Sequence, residues 1–225
     1  MQYEVIGGNL PAAIVKLQKG QSVYCESGSM SWMTDGITMK TEGGGIGKVF
    51  GRAFSGENIF RNKYVAEKDG EIAFSSSFPG EIRGFELNGN SVIAQKGSYL
   101  ASDEGIDTSI HFQKKISGGF FSGEGFIMQK FSGNGTVLIE IDGSAKEYQL
   151  AAGEKMIMDT GYLVCMDETC SLEIQSVKGV KNVLFGGEGL FNTVVTGPGR
   201  VIVQSMPIVS TAAALAAYLN LTSNN

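Results

Sequence analysis

Two blocks of sequence recur in the same order three times, and this constrains the fold of the 225-residue chain more than any other feature. The first block runs from Gly20 to Ile37, GQSVYCESGSMSWMTDGI, and returns from Gly89 to Ile106 as GNSVIAQKGSYLASDEGI. A uniform shift of 69 aligns Gly20 with Gly89, Val23 with Val92, Gly28 with Gly97, Gly36 with Gly105 and Ile37 with Ile106. A further shift of 64 reaches Gly153, Met156, Gly161, Thr169 and Cys170 in GEKMIMDTGYLVCMDETC. Glycines at matching offsets predict matching turns, because glycine adopts backbone angles that other residues resist. The second block reads Phe54, Ser55, Gly56, Glu57, then Phe121, Ser122, Gly123, Glu124, and finally Phe185, Gly186, Gly187, Glu188. After each copy come the pairs Asp69-Gly70, Asn134-Gly135 and Pro198-Gly199, of which Asp-Gly and Asn-Gly are strong two-residue hairpin signals.

The chain is therefore expected to be one all-β domain over residues 1–225, made of three tandem repeats of about 65 residues each. The repeats run over 1–80, 81–143 and 144–210, and a short helix over 211–220 follows. Strands are predicted at Ala12–Leu17, Ile72–Ser75, Ile106–Gln113, Thr136–Ile141 and Ser171–Val177. In the last, Leu172, Ile174 and Ser176 share one face and Glu173 and Gln175 the other. One unit is too small to close a good core, so packing of three around a pseudo-threefold axis is the economical arrangement. Thirty-two glycines against four prolines suit many short strands joined by tight turns. In the helix, Ser210 and Thr211 are cap candidates, and Leu215 and Leu219 lie on one face. That face either docks on the protein's own sheet or meets a partner or membrane.

Composition narrows the function classes. A net charge of -5, with only 18% charged residues, disfavours nucleic acid as the main partner, since phosphate backbones reward a basic face. Three sparse cysteines, Cys25, Cys165 and Cys170, are no disulfide framework and read as reduced packing residues. No charged segment followed by an apolar run marks a signal peptide at the N-terminus, and no apolar stretch approaches the ~20 residues of a membrane span. A cytoplasmic location is the expectation.

Candidate chemistry fails on spacing. The stretch EGGGIGKVFG over Glu42–Gly51 lacks the first glycine and the Ser/Thr of a phosphate loop. It also has Phe50 where a dinucleotide fingerprint needs glycine. His111, the one histidine, cannot build a two-histidine metal site and reads as a strand surface residue. No cofactor or metal is expected, and no enzymatic constellation emerges. Glu57, Glu124 and Glu188 would form a carboxylate or cation cluster if they faced a common axis. Duplication copies structural residues too, so Gly56, Glu57, Gly123, Glu124, Gly187 and Glu188 are read as turn-forming. Met30, Trp32, Met33 and Met39 suggest core or interface filling.

The residues best suited to an outside contact are Ile46, Lys48, Val49, Phe50, Arg52 and Phe54. Apolar and basic side chains mixed on a glycine-rich loop suit an anionic membrane surface or a protein interface, or else the loop folds back on itself.

The run GGGIGKVFGRAFSGENIF, the later SGE and GGE echoes, and RVIVQSMP followed by an alanine-rich segment resemble the altered-inheritance-of-mitochondria family and its bacterial relatives. The resemblance covers nearly the whole chain. It implies tandem units resembling the trp RNA-binding attenuation protein, related to the double-stranded β-helix. It implies no established activity for bacterial members and a link to inner-membrane organisation for mitochondrial ones. The expectation is thus a non-enzymatic scaffold or interaction protein, with protein partners or self-association and peripheral membrane contact. A small-ligand sensor and, by fold analogy alone, an RNA-binding protein are the alternatives.

Overall fold

A computed structural model describes residues 1–40, 61–114, 125–176 and 191–218. The strands are β1 (Gln2–Ile6), β2 (Ala12–Leu17), β3 (Ser22–Glu26), β4 (Met30–Met33), β5 (Ile37–Lys40), β6 (Arg61–Ala66), β7 (Gly70–Ser75), β8 (Gly80–Gln95) and β9 (Tyr99–Asp103). They continue with β10 (Ile106–Lys114), β11 (Phe126–Asp142), β12 (Ala145–Leu150), β13 (Lys155–Asp159), β14 (Leu163–Asp167), β15 (Ser171–Ser176), β16 (Phe191–Thr196) and β17 (Gly199–Gln204). One helix, α1 (Ile208–Tyr218), follows. The protein is mostly β-sheet, as expected. Alternation builds the shorter strands: in β3, Val23 and Cys25 are buried between partly exposed Ser22, Tyr24 and Glu26.

Among the described residues the strands form three sheets. One has the order β1-β2-β7-β4, and a second is β13-β16-β15. The large sheet runs β12-β17-β14-β8-β11-β9-β3-β6-β5, with β10 also against β11. Its spine is the antiparallel pair β8 and β11, whose ladder breaks register between Ser132 and Asn134. Gly133 sits in that break at φ +118°, where an added Cβ would lie 2.2 Å from the Gly105 carbonyl oxygen. Only glycine fits there.

The hairpin expectation is corrected. Asn134-Gly135 lies inside the continuous β11 rather than at a reversal, because β8 runs unbroken opposite it. Asp69-Gly70 connects β6 to β7, yet β6 pairs with β3 and β5 while β7 pairs with β2 and β4. Pro198-Gly199 likewise joins β16 to β17, each paired elsewhere. Both ladder edges of every one of these strands are occupied, so the turns carry the chain from one sheet to the next.

Three apolar clusters lie between the sheets. The first gathers Val15, Ile72, Phe74, Leu100 and Leu138. In the second, Tyr99 stacks on Phe131 at 5.0 Å beside Val137, Ile139, Val164 and Ile202. Phe126, Met128, Leu163, Met166, Val195 and Val201 make the third. All three cysteines are buried, as expected.

The helix begins three residues before the expected Thr211. Its first N–H, on Ile208, donates to Asp142 Oδ2 at 2.8 Å, so a distant carboxylate caps it rather than Ser210 or Thr211. Leu215 is 54% exposed, so it does not dock on the sheet. Leu219 lies outside the described residues.

Candidate functional site

The loop residues Ile46, Lys48, Val49, Phe50, Arg52 and Phe54, with Gly56 and Glu57, lie outside the described residues. So do Gly123, Glu124, Gly187 and Glu188. The strands flanking these segments are described, and in each case they are paired. β5 meets β6 with Lys40 opposite Lys63, β10 meets β11 with Lys114 opposite Phe126, and β15 meets β16 with Ser176 opposite Phe191.

His111 is exposed on β10, at the register break between Ile110 and Phe112. Partial burial and the Lys130 ammonium hold its pKa below the usual 6.5, against the opposing pull of Glu168. Lys130 and Ser91 both bond the Glu168 carboxylate, which those bonds keep below its usual range. Burial pushes the Cys25 thiol up to about 11 and Cys165 to about 12, so neither is a ready nucleophile. Among the described residues no group of three or more His, Cys, Asp and Glu is placed to hold a metal ion.

Among the described residues, two buried polar atoms have no hydrogen-bond partner, Gln129 Oε1 on β11 and Thr193 Oγ1 on β16. Buried carboxylates are better satisfied. Glu140 accepts the Ser76 hydroxyl at 2.8 Å and the Ser77 N–H at 2.7 Å, yet burial still raises its pKa above the usual range.

Exposed apolar side chains gather on strand edges. β4 ends the four-stranded sheet, and there Trp32 is 51% exposed and Met33 also faces solvent, which leaves, of core or interface filling, the interface alternative for these two. Met39 on β5 is exposed at an end of the large sheet, whereas Met30 packs against the first core. β13 ends the three-stranded sheet, and its Ile157 is 63% exposed. A groove of about 540 Å³ runs along β13, lined by Tyr148, Met156, Ile157, Met158, Tyr162 and Val203 beside Asp159. Met206 and Ile208 add exposed apolar surface at the start of α1, where Pro207 lies against Gly161, and Leu215 adds more further along the helix.

These edges carry few of the devices that usually guard them. Sheet edges are commonly protected by charges or proline, since their free N–H and C=O groups template further pairing. β4 reads MSWM, with no charged residue, and β13 reads KMIMD, with charges only at its ends. Sequence reasoning offered Trp32 and Met33 on β4 for core or interface filling without placing them on an edge, and it missed the β13 edge. The available signal was size: under the shifts of 69 and 64, Trp32 stands where Ala101 and Cys165 stand, and Met158 where Cys25 and Ala94 stand.

A model of the family described as "Mitochondrial biogenesis AIM24" matches residues 3–206, a span that stops just before α1. An uncharacterized protein of Streptococcus pyogenes serotype M6 is 31% identical over 224 residues, covering 95% of this chain and 89% of that protein. The crystal structure of another Streptococcus pyogenes protein superposes with a TM-score of 0.80 at 26% identity, covering 96% of this chain and 99% of that one.

Proposed function

The chain belongs to the mitochondrial biogenesis AIM24 family, and on that premise we propose that it is a non-enzymatic scaffold that works by binding protein surfaces. The observation carrying this reading is the placement of Trp32, Met33 and Ile157 in solvent on two strands that, among the described residues, pair on one side only. Scattered exposed apolar residues are ordinary, but aligned on open edges they mark a binding surface. Cross-linking affinity purification from the native cell tests it. Partners that are captured reproducibly by the parent, and lost with a Trp32→Ser, Ile157→Ser variant of unchanged melting temperature, are the expected result. Equal capture by both proteins contradicts it.

The three-unit plan belongs to the same proposal. With β1 set aside as an addition to the first unit, the opening strand of each unit pairs with its last: β2 with β7, the early half of β8 with the late half of β11, and β12 with β17. A side-chain oxygen also returns at one place in each unit, accepting a backbone N–H. Thr34 Oγ1 takes Glu71 N–H at 3.0 Å, Asp103 Oδ2 takes Thr136 N–H at 2.8 Å, and Asp167 Oδ2 takes Arg200 N–H at 2.8 Å. These recurrences support three attenuation-protein-like units in tandem, whereas a closed pseudo-threefold axis would also pair β13 with β4, which lie in separate sheets among the described residues.

Peripheral membrane contact is a second reading, favoured by α1. Its sequence IVSTAAALAAY carries no charge, and Ile208 and Leu215 are exposed. No helix among the described residues is long and apolar enough to cross a membrane. Flotation with anionic vesicles tests surface binding, which Ile208→Ser with Leu215→Ser, or Phe50→Ser with Phe54→Ser, is expected to abolish.

A further inference from the structure

The three-unit plan proposed above has an arithmetic consequence at the joints between units. β3 pairs with β9 through Val23 opposite Asp103, Tyr24 opposite Ser102 and Cys25 opposite Ala101. β8 pairs with β14 through Val92 opposite Asp167, Ile93 opposite Met166 and Ala94 opposite Cys165. Shifting the first set by 69 on one strand and 64 on the other gives the second set without slip. Moving β8 forward by a further 64 and returning β14 by 133 to its equivalent in the first unit pairs β13 with β4: Met156 opposite Thr34, Ile157 opposite Met33 and Met158 opposite Trp32. That third joint is not made within the chain among the described residues, where β4 pairs with β7 and β13 with β16.

Burial agrees with an open joint. Ala101 and Cys165 are buried in their pairings, whereas Trp32, their equivalent, is half-exposed. On the opposite strands Tyr24 is partly buried and Ile93 fully so, whereas Ile157 is largely in solvent. Each molecule therefore presents one β4 edge and one β13 edge that match in direction, register and apolar character.

We propose that β4 of one copy pairs antiparallel with β13 of a second copy, in the register set by the two internal joints. The four strands β1-β2-β7-β4 and the three strands β13-β16-β15 then become one seven-stranded sheet shared between two molecules. Trp32 and Met33 of one copy cover Met158 and Ile157 of the next, along the groove beside β13. The contact is head-to-tail, so it propagates into a closed ring or a filament. The inference rests on the scaffold reading and identifies its partner at these edges as the chain itself.

Single-cysteine variants test it, since Cys25, Cys165 and Cys170 are buried and contribute little background. Met33→Cys and Ile157→Cys lie at exposed positions, and opposed Cα atoms of an antiparallel ladder are close enough for a disulfide. The two proteins are purified separately, checked for unchanged melting temperature, mixed and mildly oxidised. The expected result is a disulfide-linked dimer containing one of each, formed at least tenfold more than with Trp32→Cys in place of Met33→Cys. Absence of that mixed dimer, preferential linkage of Met33→Cys to itself, or intrachain linkage in the dilute double variant overturns the pairing. If the parent still captures Trp32-dependent partners while the mixed dimer is absent, edge pairing fails and the scaffold reading stands.

Discussion

The Asp167 carboxylate accepts the Arg200 backbone N–H at 2.8 Å and the Arg200 guanidinium at 3.2 Å, tying the end of β14 to the start of β17. Both groups are roughly two-thirds buried, so the contact is shielded from competing water. Asp167→Ala is expected to cost about 1.5–3 kcal/mol in urea unfolding, the range for hydrogen bonds to charged groups. Asp167→Asn, which keeps an acceptor for the N–H, is expected to recover part of it.

Glu140 supplies a pH dependence. Its pKa is raised above 4.5 in the folded state, chiefly by burial, so the folded protein binds the proton more tightly than the unfolded chain. Stability from this group is complete below the unfolded pKa and falls as pH rises through the folded one. Glu140→Gln removes that fall. The variant's melting temperature relative to the parent is expected to climb from pH 4 upward and level off above the raised pKa. A constant difference across pH contradicts the assignment.

Two glycines separate crowding from backbone strain. Gly133 (φ +118°) has the Gly105 oxygen 2.2 Å from where a Cβ would sit, whereas Gly89 (φ +82°) faces open space. Gly89→Ala is expected to cost about 1–2 kcal/mol, the left-handed penalty alone. Gly133→Ala must also displace backbone, and is expected to cost well over 3 kcal/mol or to abolish folding. Urea titration of both variants checks the order.

The Thr193 hydroxyl is buried with its oxygen unpartnered. Valine has nearly the same shape and no hydroxyl to desolvate. Thr193→Val is expected to raise stability by about 1 kcal/mol, and a loss of that size shows that the hydroxyl is bonded in solution.

Legibility from sequence tracked how local each determinant was. The bounds of β2 coincide with the expected Ala12–Leu17, and β15 starts at the expected Ser171, because period-two alternation is a property of adjacent residues. The span of β11 through Asn134-Gly135 was not legible, since a neighbouring strand decides whether a turn signal is used as a reversal or a bend. The start of α1 was missed for the same reason, its cap being Asp142, 66 residues away. The loop residues favoured by sequence lie outside the described residues. The edges now favoured were hidden because burial of β4 and β13 depends on which strands happen to be absent beside them.

Light scattering on the purified protein over a range of concentrations tests the central claim, association through these edges, most directly. The parent is expected to show the mass of a multimer, and a Trp32→Lys, Ile157→Lys variant of equal helix and strand content the mass of a single chain. A parent with single-chain mass at every concentration, or a variant that remains multimeric, contradicts the account.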